Sequence, residues 1–165
     1  MEFYTVPFKK RPIHIGQGFK GPTHRVWKED KEDLVYSIDF LLPVGTPILA
    51  ARSGKITRIN TRNGKNYKGK DPKKGELAHR KWMNEIEILH GDGSYASYCH
   101  LKNAKPAVRP NQRVEQGQLI GFSGNTGWSS KPHLDFTVFR KNFKGYKIKS
   151  IKFKFKDCNK SLQDS

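Results

Sequence analysis

Residues 121–136 read GFSGNTGWSSKPHLDF and give the strongest local signal in the chain. A turn rich in glycine, serine and asparagine leads into an alternating run that begins at His133 and predicts a β-strand. Residues two apart on a strand share a face, so His133 and Asp135 lie side by side. Leu134 and Phe136 point to the opposite face. An imidazole beside a carboxylate indicates half of a metal or acid–base site, and a solvated polar strand face is the alternative.

The rest of the chain shows similar short alternating runs between glycine and proline turns, without a sustained helical period. The Gly91-Asp92-Gly93 turn predicts a hairpin. This pattern is typical of an all-β fold with many short strands. Further strands are predicted for 34–42, 48–51, 55–59, 84–90 and 94–101, with a short strand pair around a glycine within 114–122.

The C-terminal stretch 146–156 reads YKIKSIKFKFK, in which apolar residues alternate with lysines. The phase slips once between Ser150 and Ile151, which indicates a β-bulge. A turn is predicted just before this stretch, at 141–145. We expect the apolar side chains to face inward, so that this strand closes the sheet.

Two polar segments are expected at the surface. The charged run Lys28–Asp33 predicts an exposed loop, and the lysine- and glycine-rich stretch from Asn60 to about Gly75 predicts a longer one. A loop of that length in a compact domain usually has a function or is disordered, and the sequence does not distinguish the two.

The chain has 165 residues and a formal net charge of +17. Its length predicts a single domain, 1–165. The charge favours polyanions such as nucleic acid, anionic lipid or acidic envelope polymers, although general solubility explains it equally well. Lysine outweighs arginine and no aromatic-rich nucleic-acid motif is present, so specific nucleic-acid binding is not expected.

No apolar run is long enough for a membrane span, and the N-terminus lacks the apolar core of a signal peptide. We therefore expect no membrane span. Cys99 and Cys158 lie far apart without zinc-type spacing, and the sequence does not decide whether they pair.

Asp39 interrupts the apolar strand 34–42, and His24 ends a glycine–proline turn. A carboxylate inside such a strand costs several kcal/mol unless it is paired or binds a metal. Asp39 is therefore either a site residue or part of a solvated face.

Together these pieces resemble the lysostaphin-type (LytM-like) zinc endopeptidases. The resemblance covers about residues 16–138 and implies a compact antiparallel β fold with a groove formed by surface loops. It also implies hydrolysis of cross-bridge or stem peptides in bacterial peptidoglycan, and so a place in the cell envelope, periplasmic or secreted. Four blocks carry it, in the family's order: Thr23-His24, Tyr36 to Gly54, Tyr98-Cys99-His100-Leu101, and Gly124 to Phe136.

The same resemblance implies roles for five side chains. His24, Asp39 and Asp135 take the positions of the ligands to one Zn²⁺ per chain. His100 and His133 take those of the catalytic pair that acts on the water and the transition state. A zinc ion with three protein ligands keeps one position open and lowers the pKa of a bound water toward ~7. Neutral imidazoles can exchange protons near that pH.

Two features depart from the family pattern. A charged insert lengthens the spacing from His24 to Asp39, and His14 is a second candidate for that ligand. Asp135 stands where the family has histidine. One histidine and two carboxylates would leave the bound metal without net charge and weaken the preference for zinc over another divalent metal. The alternative is a catalytically silent domain that binds cell wall or a partner protein.

The expected partner is the peptide part of peptidoglycan, with anionic wall polymers as a second partner of the basic surface. The remaining histidines, His79 and His90, are expected to have structural or solvated roles.

Overall fold

The computed structural model describes residues 2–9, 11–66 and 82–158. His79 and most of the predicted 60–75 loop lie outside these ranges. The regular elements of the described residues are strands, which confirms the prediction of an all-β fold. Their bounds are β1 (Glu2–Tyr4), β2 (Ile15–Gln17), β3 (Val26–Trp27), β4 (Glu32–Asp33), β5 (Ser37–Leu41), β6 (Pro47–Leu49), β7 (Gly54–Asn60), β8 (Glu85–Leu89), β9 (Tyr95–Cys99), β10 (Arg113–Val114), β11 (Leu119–Phe122), β12 (His133–Phe143), β13 (Tyr146–Ser150) and β14 (Phe153–Phe155).

The main sheet has the strand order β10-β7-β8-β9-β12-β13-β4-β3, and β5 joins it by pairing with both β12 and β2. Strands β6 and β11 form a second, antiparallel pair. The strand pairing is mainly antiparallel, as expected, and two short pairs, β1 with β14 and β13 with β4, are parallel. Strand β12 is central, since its first half lies between β5 and β9.

One face of the main sheet forms the hydrophobic core. Phe136 in β12 is fully buried, with its ring centroid 5.2 Å from that of Tyr98 in β9 and 5.3 Å from that of Phe153 in β14. Tyr4 in β1 packs against the same cluster. The strands β1 and β14 therefore cover the apolar side of the sheet, and the other side is left for polar residues.

The Lys28–Asp33 segment is not simply an exposed loop. Lys28, Glu29 and Lys31 are exposed, but the three acidic residues Asp30, Glu32 and Asp33 are buried. The Asp33 carboxylate explains the burial, since it accepts hydrogen bonds from Ser150 Oγ at 3.0 Å and Lys149 Nζ at 2.7 Å. A buried carboxylate is tolerated when such donors satisfy it.

The C-terminal stretch 146–156 does not form one bulged strand. It divides at the predicted phase slip into β13, which belongs to the main sheet, and β14, which pairs with β1. At the division the backbone N–H of Ile151 donates to the carbonyl of Val138. A one-residue phase change moves every following side chain to the other face, so the second half joins a different layer.

Two smaller strand predictions are also corrected. The predicted pair within 114–122 is two strands, but β10 pairs with β7 and β11 with β6 instead of with each other. The turn predicted at 141–145 is shorter, because β12 continues to Phe143 and the φ angles of Lys144 and Gly145, +50° and +81°, make the reversal.

Cys99 is buried and Cys158 is half-buried, and no disulfide joins them. Among the described residues, no helix has the length and apolarity needed to cross a membrane.

Candidate metal centre and catalytic groove

A groove with a cavity volume of about 290 Å³ lies over the polar face of the main sheet. The five side chains predicted from the sequence all line it: His24, Asp39, His100, His133 and Asp135. They come from a turn, from strands β5 and β12, and from the residue that follows β9, so the tertiary fold brings them together.

The floor of the groove is a row of directly opposed residues on five neighbouring strands. The register pairs Asp135 with Cys99 on one side and with Asp39 on the other. It then pairs Cys99 with Glu85 and Asp39 with Gln17. Opposed residues on a sheet project from the same face, so this row puts two carboxylates next to each other at its centre.

His24 reaches the row from a tight turn, in which its backbone N–H donates to the carbonyl of Gly21. The imidazole Nδ1 lies 2.7 Å from the carbonyl oxygen of Gly18, and Nε2 lies 3.2 Å from Asp39 Oδ1. A carbonyl can only accept, so Nδ1 carries a proton. In the neutral ring, Nε2 then holds the lone pair that a metal needs.

Gln17 was not predicted as a site residue, yet its side chain links Asp39 to the turn before His24 by hydrogen bonds. Its side-chain N–H₂ donates to Asp39 Oδ2 at 3.3 Å and to Thr23 Oγ1 at 2.7 Å, while its Oε1 accepts from the Thr23 backbone N–H. The amide therefore fixes the Asp39 carboxylate relative to the turn that carries His24. Nothing in the local sequence marks Gln17, because its role depends on its pairing with Asp39 across two strands.

The two central carboxylates differ in pKa. Burial, reinforced by the neighbouring Asp39 carboxylate, raises the pKa of Asp135 to about 6. Burial also tends to raise the pKa of Asp39, but the hydrogen bond with His24 and the nearby histidines lower it overall. The arrangement is costly without a cation between the carboxylates, because like charges opposed on a sheet repel.

The pKa of His24 is also shifted. Burial tends to lower the pKa of its imidazole, but the hydrogen bond with Asp39 and the charges of Asp135 and Asp39 raise it to about 9. Without a metal, His24 is thus protonated at neutral pH and supplies positive charge to the two carboxylates. A metal ion that binds here takes the place of that proton.

Thr137 and Ser37 form a buried pair of hydroxyls behind Asp135. Thr137 Oγ1 donates to Asp135 Oδ1 at 3.2 Å, and the Oγ of Ser37 lies 2.5 Å from Thr137 Oγ1. Thr137 was not predicted as a site residue, although the alternation of β12 places it on the face of Asp135 two residues away. It holds one carboxylate oxygen and orients the other.

His133 begins β12, with Nδ1 lying 2.8 Å from the carbonyl oxygen of Lys131 and 3.0 Å from Ser129 Oγ. Its Nε2 lies 3.8 Å from Asp39 Oδ1. The Lys131 carbonyl favours the tautomer with the proton on Nδ1, so the nitrogen that faces the carboxylates is the basic one.

His100 follows β9 in the left-handed backbone region, at φ +63°. Its Nδ1 lies 2.6 Å from the carbonyl oxygen of Thr126, and its ring centroid lies 4.4 Å from that of His133. A non-glycine residue in this conformation is held by its surroundings. The predicted catalytic pair is therefore two adjacent imidazoles, each anchored through Nδ1.

Three of these residues meet the geometric requirement for a metal site. A ligand atom from each of His24, Asp39 and Asp135 lies within 4.8 Å of the other two. The 3.2 Å between His24 Nε2 and Asp39 Oδ1 is close to the ~3.4 Å edge of a tetrahedron with zinc bonds of about 2.1 Å. One imidazole nitrogen and two carboxylate oxygens are all accepted zinc ligands, so the donor set fits a zinc or similar divalent ion.

The other histidines within the described ranges are not part of this cluster. His14 is exposed and does not line the groove, so nothing in the geometry supports it as a replacement for His24. His90 is buried elsewhere, with Nδ1 2.9 Å from the Ser53 carbonyl oxygen and its ring against Tyr4. Its surroundings agree with the expected structural role.

The groove also has features that the sequence did not indicate. Trp27 and Trp128 line it, with ring centroids 6.1 Å apart in an edge-to-face contact. Glu85 and Glu87 lie on its floor and form ion pairs with Arg58 and Lys141. The groove is therefore partly acidic in a strongly basic protein.

Residues 34–148 match the sequence pattern of peptidase family M23. A glycyl-glycine endopeptidase ALE-1 of Staphylococcus capitis is 37% identical over 109 residues, covering 66% of this chain and 25% of that protein. The peptidoglycan DD-endopeptidase ShyA of Vibrio cholerae is 36% identical over 100 residues, covering 61% of this chain and 19% of that protein. The chain thus spans about a quarter or less of these relatives.

Solved structures give the same result for the fold. The catalytic domain of the antimicrobial peptidase lysostaphin from Staphylococcus simulans superposes with a TM-score of 0.57 and 29% identity, over 84% of this chain and 88% of that one. A zinc-containing peptidase from Vibrio cholerae has a TM-score of 0.58 at 24% identity, over 92% of this chain and 39% of that one, and shows likeness of fold alone.

Proposed function

The chain belongs to peptidase family M23, and from this premise we propose that it is a metal-dependent endopeptidase that hydrolyses peptide bonds of bacterial peptidoglycan, in a cross-bridge or a stem peptide. The names of two relatives, a glycyl-glycine endopeptidase and a peptidoglycan DD-endopeptidase, support this substrate class. One observation carries the proposal: the cluster of His24, Asp39 and Asp135 lies in the same groove as the two anchored imidazoles of His100 and His133.

The proposed metal ligands are His24, Asp39 and Asp135, holding one Zn²⁺ or another divalent ion. Such an ion supplies Lewis acidity, which lowers the pKa of a water and polarises a carbonyl. The chain contributes the preset tautomer of His24 and the fixed orientation of both carboxylates. Because the set has two negative charges, it leaves less positive charge on the ion than a set with two histidines would.

The proposed proton carriers are His133 and His100. Each has its Nδ1 proton directed at a backbone carbonyl, so Nε2 is the nitrogen that accepts a proton from water or donates one to a leaving amine. Once protonated, the same imidazoles stabilise negative charge that develops on the oxygen of the attacked carbonyl. Their 4.4 Å centroid separation lets both act on one peptide bond.

A catalytically silent domain is not favoured. A site that has lost its chemistry has no physical reason to keep two half-buried, opposed carboxylates. The groove keeps both of them, together with three histidines whose tautomers are set by backbone carbonyls.

The test is hydrolysis of purified peptidoglycan, with the released peptides identified by mass spectrometry. His133→Ala should lower the rate by roughly 10²–10⁴-fold, the usual loss for a general acid–base residue. His14→Ala, which removes an exposed histidine outside the groove, is the control and should match the wild type. Wild-type protein loaded with one zinc per chain that releases no peptide would overturn the proposal.

The remaining expectations follow from this function. We propose that residues 1–165 act as one peptidase domain at the cell envelope, where the peptidoglycan substrate is found. Elemental analysis should find one zinc per chain in the wild type and none in Asp135→Ala.

A further inference from the structure

Half of the net positive charge of +17 is concentrated in one C-terminal segment. We define the basic arm as residues 140–156, which contain eight lysine and arginine residues and no acidic residue. The eight are Arg140, Lys141, Lys144, Lys147, Lys149, Lys152, Lys154 and Lys156.

The hairpin tip of the arm extends past the neighbouring strand β9. Strand β12 pairs with β9 only as far as Phe139, and from there to Phe143 it pairs with β13 alone. Residues 141–145 at the tip of this hairpin are all exposed. In β14 and on either side of it, Lys152, Lys154 and Lys156 are exposed, while the phenylalanines that alternate with them are buried in the core. The sheet thus fixes the backbone while the lysines face solvent.

Most of these charges are not neutralised within the protein. Lys141 and Lys149 form ion pairs with Glu87 and Asp33. Four other exposed lysines form no ion pair with any described acidic side chain: Lys144, Lys147, Lys152 and Lys154. Exposed cations crowded on one segment repel each other, and a polyanion relieves that repulsion.

We propose that the basic arm is the binding surface for a phosphodiester-linked anionic polymer of the cell wall. Alternate residues of a strand are about 6.6 Å apart, so the lysines form extended rows that suit a chain of regularly spaced phosphates better than one compact anion. Binding by counterion release needs many such contacts and no specific pocket. The choice of a wall polymer rests on the proposed function, whereas the attraction to polyanions rests on charge alone.

Two other polyanions fit the arm less well. A membrane-surface segment needs an apolar face beside its cations, but Phe153 and Phe155 are 1% and 6% exposed, and Phe143, at 38%, is the one exposed aromatic residue of the arm. Nucleic-acid recognition relies on arginine and on stacking aromatic residues, and the arm has a single arginine, Arg140.

The experiment compares two variants of equal net charge. The arm variant replaces Lys144, Lys147, Lys152 and Lys154 by glutamine. The control variant replaces four exposed lysines outside the arm by glutamine: Lys9, Lys55, Lys102 and Lys105. Affinity for labelled poly(glycerol phosphate) is measured by fluorescence anisotropy at several salt concentrations, with a single-stranded oligonucleotide and anionic phospholipid vesicles as comparison probes.

We expect the arm variant to bind poly(glycerol phosphate) at least about tenfold more weakly than the wild type, and the control variant to bind nearly as well. The slope of log affinity against log salt should fall by about three, if each lost lysine contacts one phosphate. Equal losses in both variants would overturn the proposal, since they would assign binding to the overall charge. Stronger wild-type binding to the oligonucleotide or to vesicles would overturn it in favour of those partners.

Hydrolysis separates this proposal from the proposed function. None of the four arm lysines lines the groove, so the arm variant should cleave a short soluble peptidoglycan peptide at the wild-type rate. Loss of polymer binding by the arm variant, with unchanged peptide cleavage, supports the proposal that the basic arm binds the polymer. If the wild type binds the polymer but cleaves no peptide, the proposed peptidase function is contradicted and the proposed polymer-binding surface is still supported.

Discussion

At the scale of single residues, the three groove histidines are held by the same kind of hydrogen bond. The Nδ1 atom of each lies 2.6–2.8 Å from a backbone carbonyl oxygen, those of Gly18 for His24, Thr126 for His100 and Lys131 for His133. This contact fixes the ring and selects the tautomer with Nδ1 protonated. The fold therefore presents three Nε2 atoms whose direction is set before any ligand arrives.

Thr137 should matter for the metal although it is not a proposed ligand. Thr137→Val removes the hydroxyl that donates to Asp135 Oδ1. We expect metal affinity to fall by roughly 10–100-fold, the usual effect of losing a hydrogen bond to a ligand. Competition with a chromophoric chelator measures the affinity directly.

Thr137→Ser is the matched variant, since it keeps the hydroxyl and removes only a methyl group. It should retain metal affinity close to that of the wild type. If the valine and serine variants bind metal equally well, Thr137 has no part in positioning Asp135.

Metal affinity should increase with pH up to about 9. The pKa of His24 is raised to about 9, so below that value the metal has to displace a proton from it. Affinity should then fall up to tenfold for each unit of decreasing pH. Below about 6, Asp135 is also protonated, and the decline should become steeper. Chelator competition from pH 5 to 10 tests this, and a constant affinity between pH 7 and 9 would contradict the shift of His24.

At the scale of elements, the glycine-rich loop that precedes β12 is packed against the chain that carries His100. A Cβ on Gly124 would lie 2.5 Å from the backbone N of Lys102 and 2.6 Å from the carbonyl carbon of Leu101. Because these neighbours are backbone atoms, they cannot easily move aside for the added Cβ. The loop can therefore lie this close to His100 only with glycine at this position.

Gly124→Ala should destabilise the protein by about 1–3 kcal/mol, the usual cost of overpacking, and should also shift His100 and reduce peptidoglycan hydrolysis. Urea denaturation gives the change in the free energy of unfolding. Gly91→Ala is the control, because a Cβ at Gly91 meets nothing within 4 Å. An unfolding free energy for Gly124→Ala equal to that of the control would mean that the close approach is not required.

At the scale of the whole molecule, the opposed carboxylates of Asp39 and Asp135 couple metal binding to folding. In metal-free protein at pH 8, Asp135→Asn should raise the free energy of unfolding by on the order of 1 kcal/mol, because it removes a like-charge pair. With metal at a hundred times its dissociation constant, the wild type should gain about 2.7 kcal/mol, and the variant much less.

The order of stability should therefore reverse when metal is added. Thermal unfolding with and without zinc measures this, and Glu29→Gln, an exposed site with the same charge change, should show no reversal. A variant that stays less stable than the wild type under both conditions would mean that the carboxylate pair is not a source of strain.

The all-β fold and the family could be predicted from the amino-acid sequence, because both depend on local order along the chain. Alternation places Leu134 and Phe136 in the core, with His133 and Asp135 opposite them, whatever the strand pairs with. Spaced motifs likewise identify a family before any contact is known. The roles assigned to His24, Asp39 and Asp135 stay predictions, although the fold brings their ligand atoms within 4.8 Å.

The other residues that support the site could be identified only from the folded chain. Gln17 reaches Asp39 through strand register, and Ser37 reaches Thr137 between β5 and β12. The burial of Asp33 within a charged segment depends on lysine and serine donors more than a hundred residues away. Such contacts join positions far apart in sequence, and local patterns contain no information on register between distant strands. Packing of the whole sheet fixes that register.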